Sequence, residues 1–174
     1  MAHPTERFIR DVPDFPKPGI IFKDLTPLLR DGPALREAMS ALESAIDWSE
    51  VTKIAAIEAR GFMVGGYLAA RRGLGFISIR KPGKLPADTI AEPYALEYGS
   101  DTLEVHADAC ADRPGVLIVD DVLATGGTAS ATARLVARAG GQVKGFAFLV
   151  ELTFLNGRDQ LGALPAVSLV NVTD

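Results

Sequence analysis

Residues 116–128 read Val-Leu-Ile-Val-Asp-Asp-Val-Leu-Ala-Thr-Gly-Gly-Thr, and this stretch narrows the folding options more than any other. Its opening run of unbroken apolar residues predicts a strand buried on both faces, as in a parallel sheet rather than an antiparallel one with a wet side. The run ends in two carboxylates, Asp120 and Asp121, then a glycine turn, and residues 128–139 carry a helical pattern. Loops at the carboxyl ends of parallel strands line the ligand crevice of an open α/β sheet. The string therefore predicts both a fold class and the place where that fold binds something.

The rest of the chain fits the same class. Continuous apolar runs predict strands at 53–58, 75–80, 144–152 and 165–172, separated by helical segments such as 61–72. A helix over 33–46 is expected to start after Asp31, with Pro33 in its first turn. Before it lies a proline-rich entry, 13–27. The fold class is α/β, and 174 residues form one domain, 1–174, at about 150 residues per domain. One stretch breaks the alternation: residues 80–95 hold Lys81, Pro82, Gly83, Lys84, Pro86 and Pro93. It is too rich in breakers for a helix and is expected to be a binding or lid loop. A hairpin follows, pairing 94–98 with 102–105.

The glycine turn has the makings of a phosphate cradle. Gly126 and Gly127 let backbone N–H groups approach an anion without obstruction by a Cβ. Thr125 and Thr128 add hydroxyls, and the helix that follows presents its positive end. The turn lacks the lysine of a Walker loop, and Gly73-Leu74-Gly75 is only a fragment of a dinucleotide fingerprint. Two carboxylates beside a phosphate repel it unless they accept hydrogen bonds from hydroxyls or act through a cation. A ribose 5-phosphate offers both hydroxyls and a phosphate. An isolated Thr-Gly-Gly-Thr would be read as an ordinary turn; the thirteen-residue string would not.

Charge and cysteine content exclude several function classes. Lys and Arg number 18 against 22 Asp and Glu, a formal charge of −4, which argues against a general nucleic-acid surface. A single cysteine, Cys110, allows no internal disulfide and fits a reducing compartment. The uncharged runs fall far short of the ~20 apolar residues that span a bilayer. Residues 1–7 show no apolar leader, so a cytoplasmic location is expected. His3 and His106 have no metal-like spacing, and Phe146, Phe148 and Phe154 are expected to pack against the sheet.

At residues 116–128 the sequence resembles the type I phosphoribosyltransferases, whose hallmark is such a run of apolar residues, paired acids and a Thr-Gly-Gly-Thr-like turn. Further stretches resemble the adenine-specific members of that family. They are 13–29 (Pro-Asp-Phe-Pro through Leu29), Glu58-Ala59-Arg60-Gly61-Phe62, Arg80-Lys81-Pro82-Gly83-Lys84-Leu85-Pro86, Leu96-Glu97-Tyr98-Gly99 and Val150-Glu151-Leu152-Thr153. The similarity spans about residues 8–170, and Ala59 stands where many members carry Ser.

The resemblance implies a type I phosphoribosyltransferase fold: a central parallel sheet flanked by helices, a small N-terminal hood over 1–30, and a flexible lid loop and hairpin over 81–98. It implies the conversion of adenine and 5-phosphoribosyl 1-diphosphate to AMP and diphosphate, with Mg²⁺ held mainly by the diphosphate, ribose hydroxyls and water. Ala124, Thr125, Gly126, Gly127 and Thr128 would hold the 5-phosphate, and Asp120 and Asp121 would accept from the ribose hydroxyls. Ala59, Arg60, Arg80, Lys81 and Lys84 would meet the diphosphate, and Arg60 and Glu97 would serve catalysis, with Glu97 exchanging a proton with the purine. Backbone groups of Ile21 and Lys23 would read the adenine edge while Phe22 and Leu152 sandwich its ring. The Glu58–Ala59 peptide would be cis. The family also implies a homodimer. Two alternatives remain: a sister enzyme using xanthine or another purine, and a non-catalytic sensor of the sugar diphosphate. The second is disfavoured because no basic helix-turn-helix segment is evident.

Overall fold

The computed structural model describes residues 3–95 and 100–173. Its centre is a five-stranded sheet made of β3 (Lys53–Ile57), β4 (Gly75–Ile79), β7 (Gly115–Leu123), β8 (Gln142–Leu152) and β9 (Ala166–Val172). The order across the sheet is β4-β3-β7-β8-β9, and every neighbouring pair is parallel. Helices α1 (Thr26–Arg30), α2 (Gly32–Ala45), α3 (Gly61–Arg72) and α4 (Gly127–Arg138) join and cover these strands. The parallel sheet and flanking helices are those expected from the sequence.

Alternation along the central strands divides the core in two. Leu117 and Val119 of β7, with Ala147 and Leu149 of β8, face α2 and α3. Val116 and Ile118, with Phe146 and Phe148, face α4 and a second layer element, the hairpin of β5 (Thr89–Ala95) and β6 (Ser100–His106). Phe146 and Phe148 stack with ring centroids 6.4 Å apart and are almost fully buried. Truncating such a ring to alanine costs ~3–5 kcal/mol. Helices α2, α3 and α4 begin and end within one residue of where the sequence places them, whereas α1 was not expected from the sequence. Asp31 accepts from the Ala34 N–H at 2.9 Å to cap α2, which buries Ala34, Ala38, Met39 and Leu42 on one stripe.

Two regions differ from expectation. The proline-rich entry is organised as a small hairpin in which β1 (Arg10–Pro13) pairs antiparallel with β2 (Ile21–Asp24). Arg10 holds Asp24 at 2.5 Å, and Asp24 also accepts from the Thr26 N–H and hydroxyl, both at 2.9 Å, tying the hairpin to α1. The backbone bond from Thr26 and the Arg10 guanidinium lower the Asp24 carboxyl to a pKa of about 2. The segment expected as a long loop is shorter than predicted, because residues 89–93 already belong to β5, paired with 102–106 of β6. Glu92 fastens this strand to α4, with Arg134 at 2.5 Å and Arg138 at 2.8 Å.

Candidate active-site crevice

The strand order reverses between β3 and β7. From β3 the chain passes outward to β4, and it returns through β5 and β6 to β7 on the other side. The carboxyl ends of β3 and β7 thus open a crevice, the usual ligand position in an open α/β sheet. The two connections leaving those ends are residues 58–60 and 124–126, and they begin α3 and α4. Neither helix N-terminus is capped by a side chain, so both leave N–H groups for something else to satisfy.

Gly61 lets the two connections meet. A Cβ there would stand 2.7 Å from Asp120 Oδ1 and 3.2 Å from the Val119 carbonyl oxygen, so the start of α3 can lie against the end of β7 only without a side chain. The Glu58–Ala59 peptide is cis, as the resemblance implies. The crevice encloses about 400 Å³. Its floor is Ala59, Arg60, Asp120 and Asp121; β2 contributes Ile21, Phe22 and Lys23; Lys81, Ala124, Thr128 and Leu152 close the remaining sides. A hollow of about 70 Å³ adjoins it, bounded by Ala124, Thr125, Gly126 and Thr128. A second recess of about 440 Å³ shares Ile20, Ile21, Lys23, Ala124 and Leu152 with the main crevice.

The charges are arranged in pairs. Arg60 Nε lies 2.6 Å from Asp121 Oδ2 and its guanidinium sits 5.5 Å from the Phe22 ring centre. The Arg60 N–H is not aimed at that oxygen, so the buried Oδ2 keeps its hydrogen-bonding capacity. Asp120 Oδ1 accepts from the Asp121 N–H at 2.9 Å. Burial first, and the adjacent Asp121 charge second, push the Asp120 carboxyl well above the usual carboxylate range. Arg80 Nε donates to Glu58 at 2.6 Å, and the Lys81 N–H donates to the same carboxylate at 3.0 Å. Burial opposes ionisation of Glu58, but these bonds win, and its carboxyl lies below its ordinary range. The Lys81 ammonium pairs with Asp101 and stands 3.4 Å from the Tyr94 hydroxyl.

The sequence-predicted residues are not all brought together. Gly127 is the half-buried first residue of α4 and bounds neither space. Arg80 and Lys84 stand off the crevice: Arg80 is engaged by Glu58 and by the Lys84 carbonyl at 3.2 Å, and the Lys84 side chain is exposed. Glu97 lies outside the described residues. Phe154, expected in the core, is 47% exposed and lines the recess beside β2. Glu58, Tyr94 and Asp101 went unpredicted as site residues. Glu58 sits inside a motif already singled out, whereas Tyr94 reaches the crevice through the β5–β6 pairing, which sets Asp101 opposite it and beside Lys81. Among the described residues no three His, Cys, Asp or Glu side chains gather as a metal-binding group.

Chemically, the crevice offers a phosphate-sized hollow with free backbone donors, acceptors for hydroxyls, a cation at its rim and an apolar wall. Comparison with known proteins points the same way. The family model "Phosphoribosyl transferase domain" matches residues 28–160. The adenine phosphoribosyltransferase of Desulfitobacterium hafniense (strain Y51) is 53% identical over 165 residues, covering 95% of each chain. The crystal structure of adenine phosphoribosyltransferase from Thermoanaerobacter pseudethanolicus superposes with a TM-score of 0.93 at 50% identity, over 97% of this chain and 98% of that one. The Saccharomyces cerevisiae enzyme, complexed with adenine and an iminoaltritol bisphosphate, gives 0.88 at 36% identity, over 95% and 96%.

Proposed function

Because the chain belongs to the phosphoribosyl transferase family, we propose that it joins adenine to the ribose of 5-phosphoribosyl 1-diphosphate, releasing AMP and diphosphate. This is a purine-salvage step, the reaction of the adenine phosphoribosyltransferases it is similar to along almost its whole length. One observation carries the assignment: the phosphate-sized hollow, the acid pair and the apolar wall of Phe22 and Leu152 open onto one crevice at the switch point of the sheet.

The sugar's 5-phosphate occupies the hollow at 124–128, where the start of α4 and the turn's N–H groups meet it. Asp120 and Asp121 accept from the two ribose hydroxyls. The diphosphate lies between the turn at 58–60 and Lys81, with Ala59 offering backbone only. Arg80 and Lys84 join when the loop carrying them closes, and closure excludes water that would otherwise hydrolyse the activated sugar. The purine lies between Phe22 and Leu152. Among the described residues strand β2 pairs only with β1, which leaves its other edge open there, and Ile21 and Lys23, two apart, point their backbone groups the same way. An N–H and a C=O on that edge match adenine's ring nitrogen and amine and oppose a 6-oxopurine.

In the transfer the C1–O bond to diphosphate breaks and a bond from the purine ring nitrogen to C1 forms. Positive charge develops on the ribose, and the carboxylates beneath it and the cations around the leaving group stabilise the separation. The proton on the attacking nitrogen passes to Glu97. Mg²⁺ would be held mainly by the oxygens of the diphosphate, ribose hydroxyls and water, the hard oxygen donors that suit it. When bound, it neutralises leaving-group charge. The working form is a cytoplasmic homodimer in which basic residues near 80–84 approach the neighbouring site.

Steady-state assays with four bases test the assignment. A site built around one polar pattern rejects the reversed pattern by as much as ~10⁴-fold, because buried groups are left unpaired. Adenine is expected to exceed hypoxanthine, guanine and xanthine by at least ~10³ in kcat/KM. Comparable efficiency with any 6-oxopurine would remove adenine as the substrate and leave the transferase class standing.

A further inference from the structure

A second segment lies directly behind the phosphate turn. After β8, residues Gly157–Leu161 form a short 3-10 turn whose backbone is pressed against residues 124–126. A Cβ on Gly157 would stand 2.1 Å from the Ala124 carbonyl oxygen and 3.1 Å from the Gly126 nitrogen. A Cβ on Gly126, which has φ +84, would stand 2.2 Å from the Gly157 carbonyl oxygen. No side chain fits on either side of this contact, so two backbones lie face to face.

Gly157 is itself fixed by its neighbour. The Arg158 guanidinium grips Glu151 with Nε at 2.7 Å from Oε1 and Nη2 at 2.6 Å from Oε2. It also donates to the Ala166 carbonyl at 2.7 Å and to Ser168 Oγ at 2.8 Å, both on β9. Glu151 is 4% exposed, and in the sheet register it lies opposite Leu123, the residue before Ala124. The Ser168 hydroxyl donates to it at 2.5 Å. The clamp thus ties β8 and β9 to the segment that backs the phosphate turn.

We propose that Gly157 and the Glu151–Arg158 clamp are positioning residues for the 5-phosphate subsite, setting the curvature of 124–126 from behind. The proposal rests on the reading of that turn as a phosphate cradle. A turn displaced by ~1 Å loses up to ~10²-fold in what it binds or catalyses, and a buried carboxylate stripped of its partner cannot hold the strand end in place.

Calorimetric titration of the full chain with ribose 5-phosphate and, separately, with pyrophosphate tests it. Gly157→Ala is expected to weaken ribose 5-phosphate binding by ~10-fold or more while pyrophosphate binding stays within about twofold. KM for 5-phosphoribosyl 1-diphosphate should rise while KM for adenine does not. Arg158→Lys and Glu151→Gln should move the same ratio in the same direction by less, and Asp159→Asn, exposed on the same turn, should leave it unchanged. Should Gly157→Ala fail to fold, the Arg158 and Glu151 variants decide. Folded variants that bind ribose 5-phosphate like the parent, or lose both ligands equally, overturn the proposal. A parent that binds pyrophosphate but not ribose 5-phosphate overturns the cradle itself, and the proposal with it.

Discussion

The crevice has two walls built on opposite principles. The phosphate turn at 124–128 is held by backbone: an uncapped helix start, a glycine at φ +84 and a second glycine pressed behind it. The facing wall, from the turn at 58–60 through Lys81 to the β5–β6 hairpin, is held by side-chain ion pairs, Arg60–Asp121, Arg80–Glu58 and Lys81–Asp101. The first wall can meet an anion without moving. The second presents cations already engaged by carboxylates, so under the proposed function a diphosphate would exchange one partner for another. A fixed hold on the ribose phosphate and an exchangeable hold on the leaving group suit a reaction that keeps one and expels the other.

The two walls should fail differently when altered. The largest effect is expected at Glu97, which follows β5 in the sequence. Glu97→Gln should lower kcat by ~10²–10⁴-fold, the usual contribution of a general acid or base, while calorimetric affinity for 5-phosphoribosyl 1-diphosphate changes little. Turnover within about twofold of the parent would make Glu97 a bystander. Gly126→Ala, on the backbone wall, should do the reverse, raising KM for the sugar diphosphate before it touches kcat. Left-handed backbone costs a non-glycine residue ~1–3 kcal/mol, and the overlap with Gly157 adds to that. A variant with parental KM and thermal midpoint would show that the turn adapts.

The same contrast explains how much was legible in the sequence. The strand, acid pair, turn and helix of 116–138 are contiguous, so local pattern and turn chemistry suffice, and α2 announces itself through Asp31 and Pro33. Gly157 belongs to the same wall but contributes through a contact across more than thirty residues; the Asn156-Gly157 pair signals a turn and nothing about what the turn touches. Residues 89–93 of β5 are expected as loop because the polar, breaker-rich run from Lys81 to Pro93 hides their strand pattern. The segment survives as a strand because, among the described residues, it pairs on one side only, where a proline is tolerated, and because Glu92 is held by α4. The β1–β2 hairpin is only four residues per strand and depends on the Arg10–Asp24 bridge, which local pattern cannot reveal. The basic cluster was visible as composition, but its division into Lys81 at the crevice and Arg80 and Lys84 outside it is set by Glu58 and by loop geometry.

A pH profile probes the floor between the walls. Asp120 is raised by burial and by Asp121, so on acidification it takes up a proton earlier than an ordinary carboxyl and loses an acceptor for the ribose hydroxyls. Affinity for the sugar diphosphate should therefore fall at a higher pH than an unperturbed carboxyl would dictate. The linkage to stability has the opposite sign. The unfolded chain carries this charge more easily, so ionisation costs the native state above the unfolded pKa, and that cost is relieved as pH falls through the folded pKa. Asp121→Asn removes the neighbouring charge and should move the acid limb of kcat/KM to lower pH. It should also weaken the sugar diphosphate by ~10–100-fold at neutral pH, the loss of one hydrogen bond to a charged group. A limb that does not move would assign it to another group.

The smallest expected effect tests whether the side-chain wall really exchanges partners. The Lys81–Asp101 pair is partly exposed, with the lysine side chain at 40% and the aspartate at 29%, and such pairs contribute ~0–1 kcal/mol after solvent screening. Neutralising the aspartate therefore frees Lys81 at little cost to the fold. If the diphosphate must displace Asp101, Asp101→Asn should tighten 5-phosphoribosyl 1-diphosphate by up to ~5-fold, the equivalent of that range. Ribose 5-phosphate, which carries no diphosphate, should bind as before. The gain should shrink as salt shortens the reach of the freed charge. If Asp101 instead holds the ammonium where the diphosphate needs it, the same substitution weakens binding, and this wall is as preorganised as the one facing it.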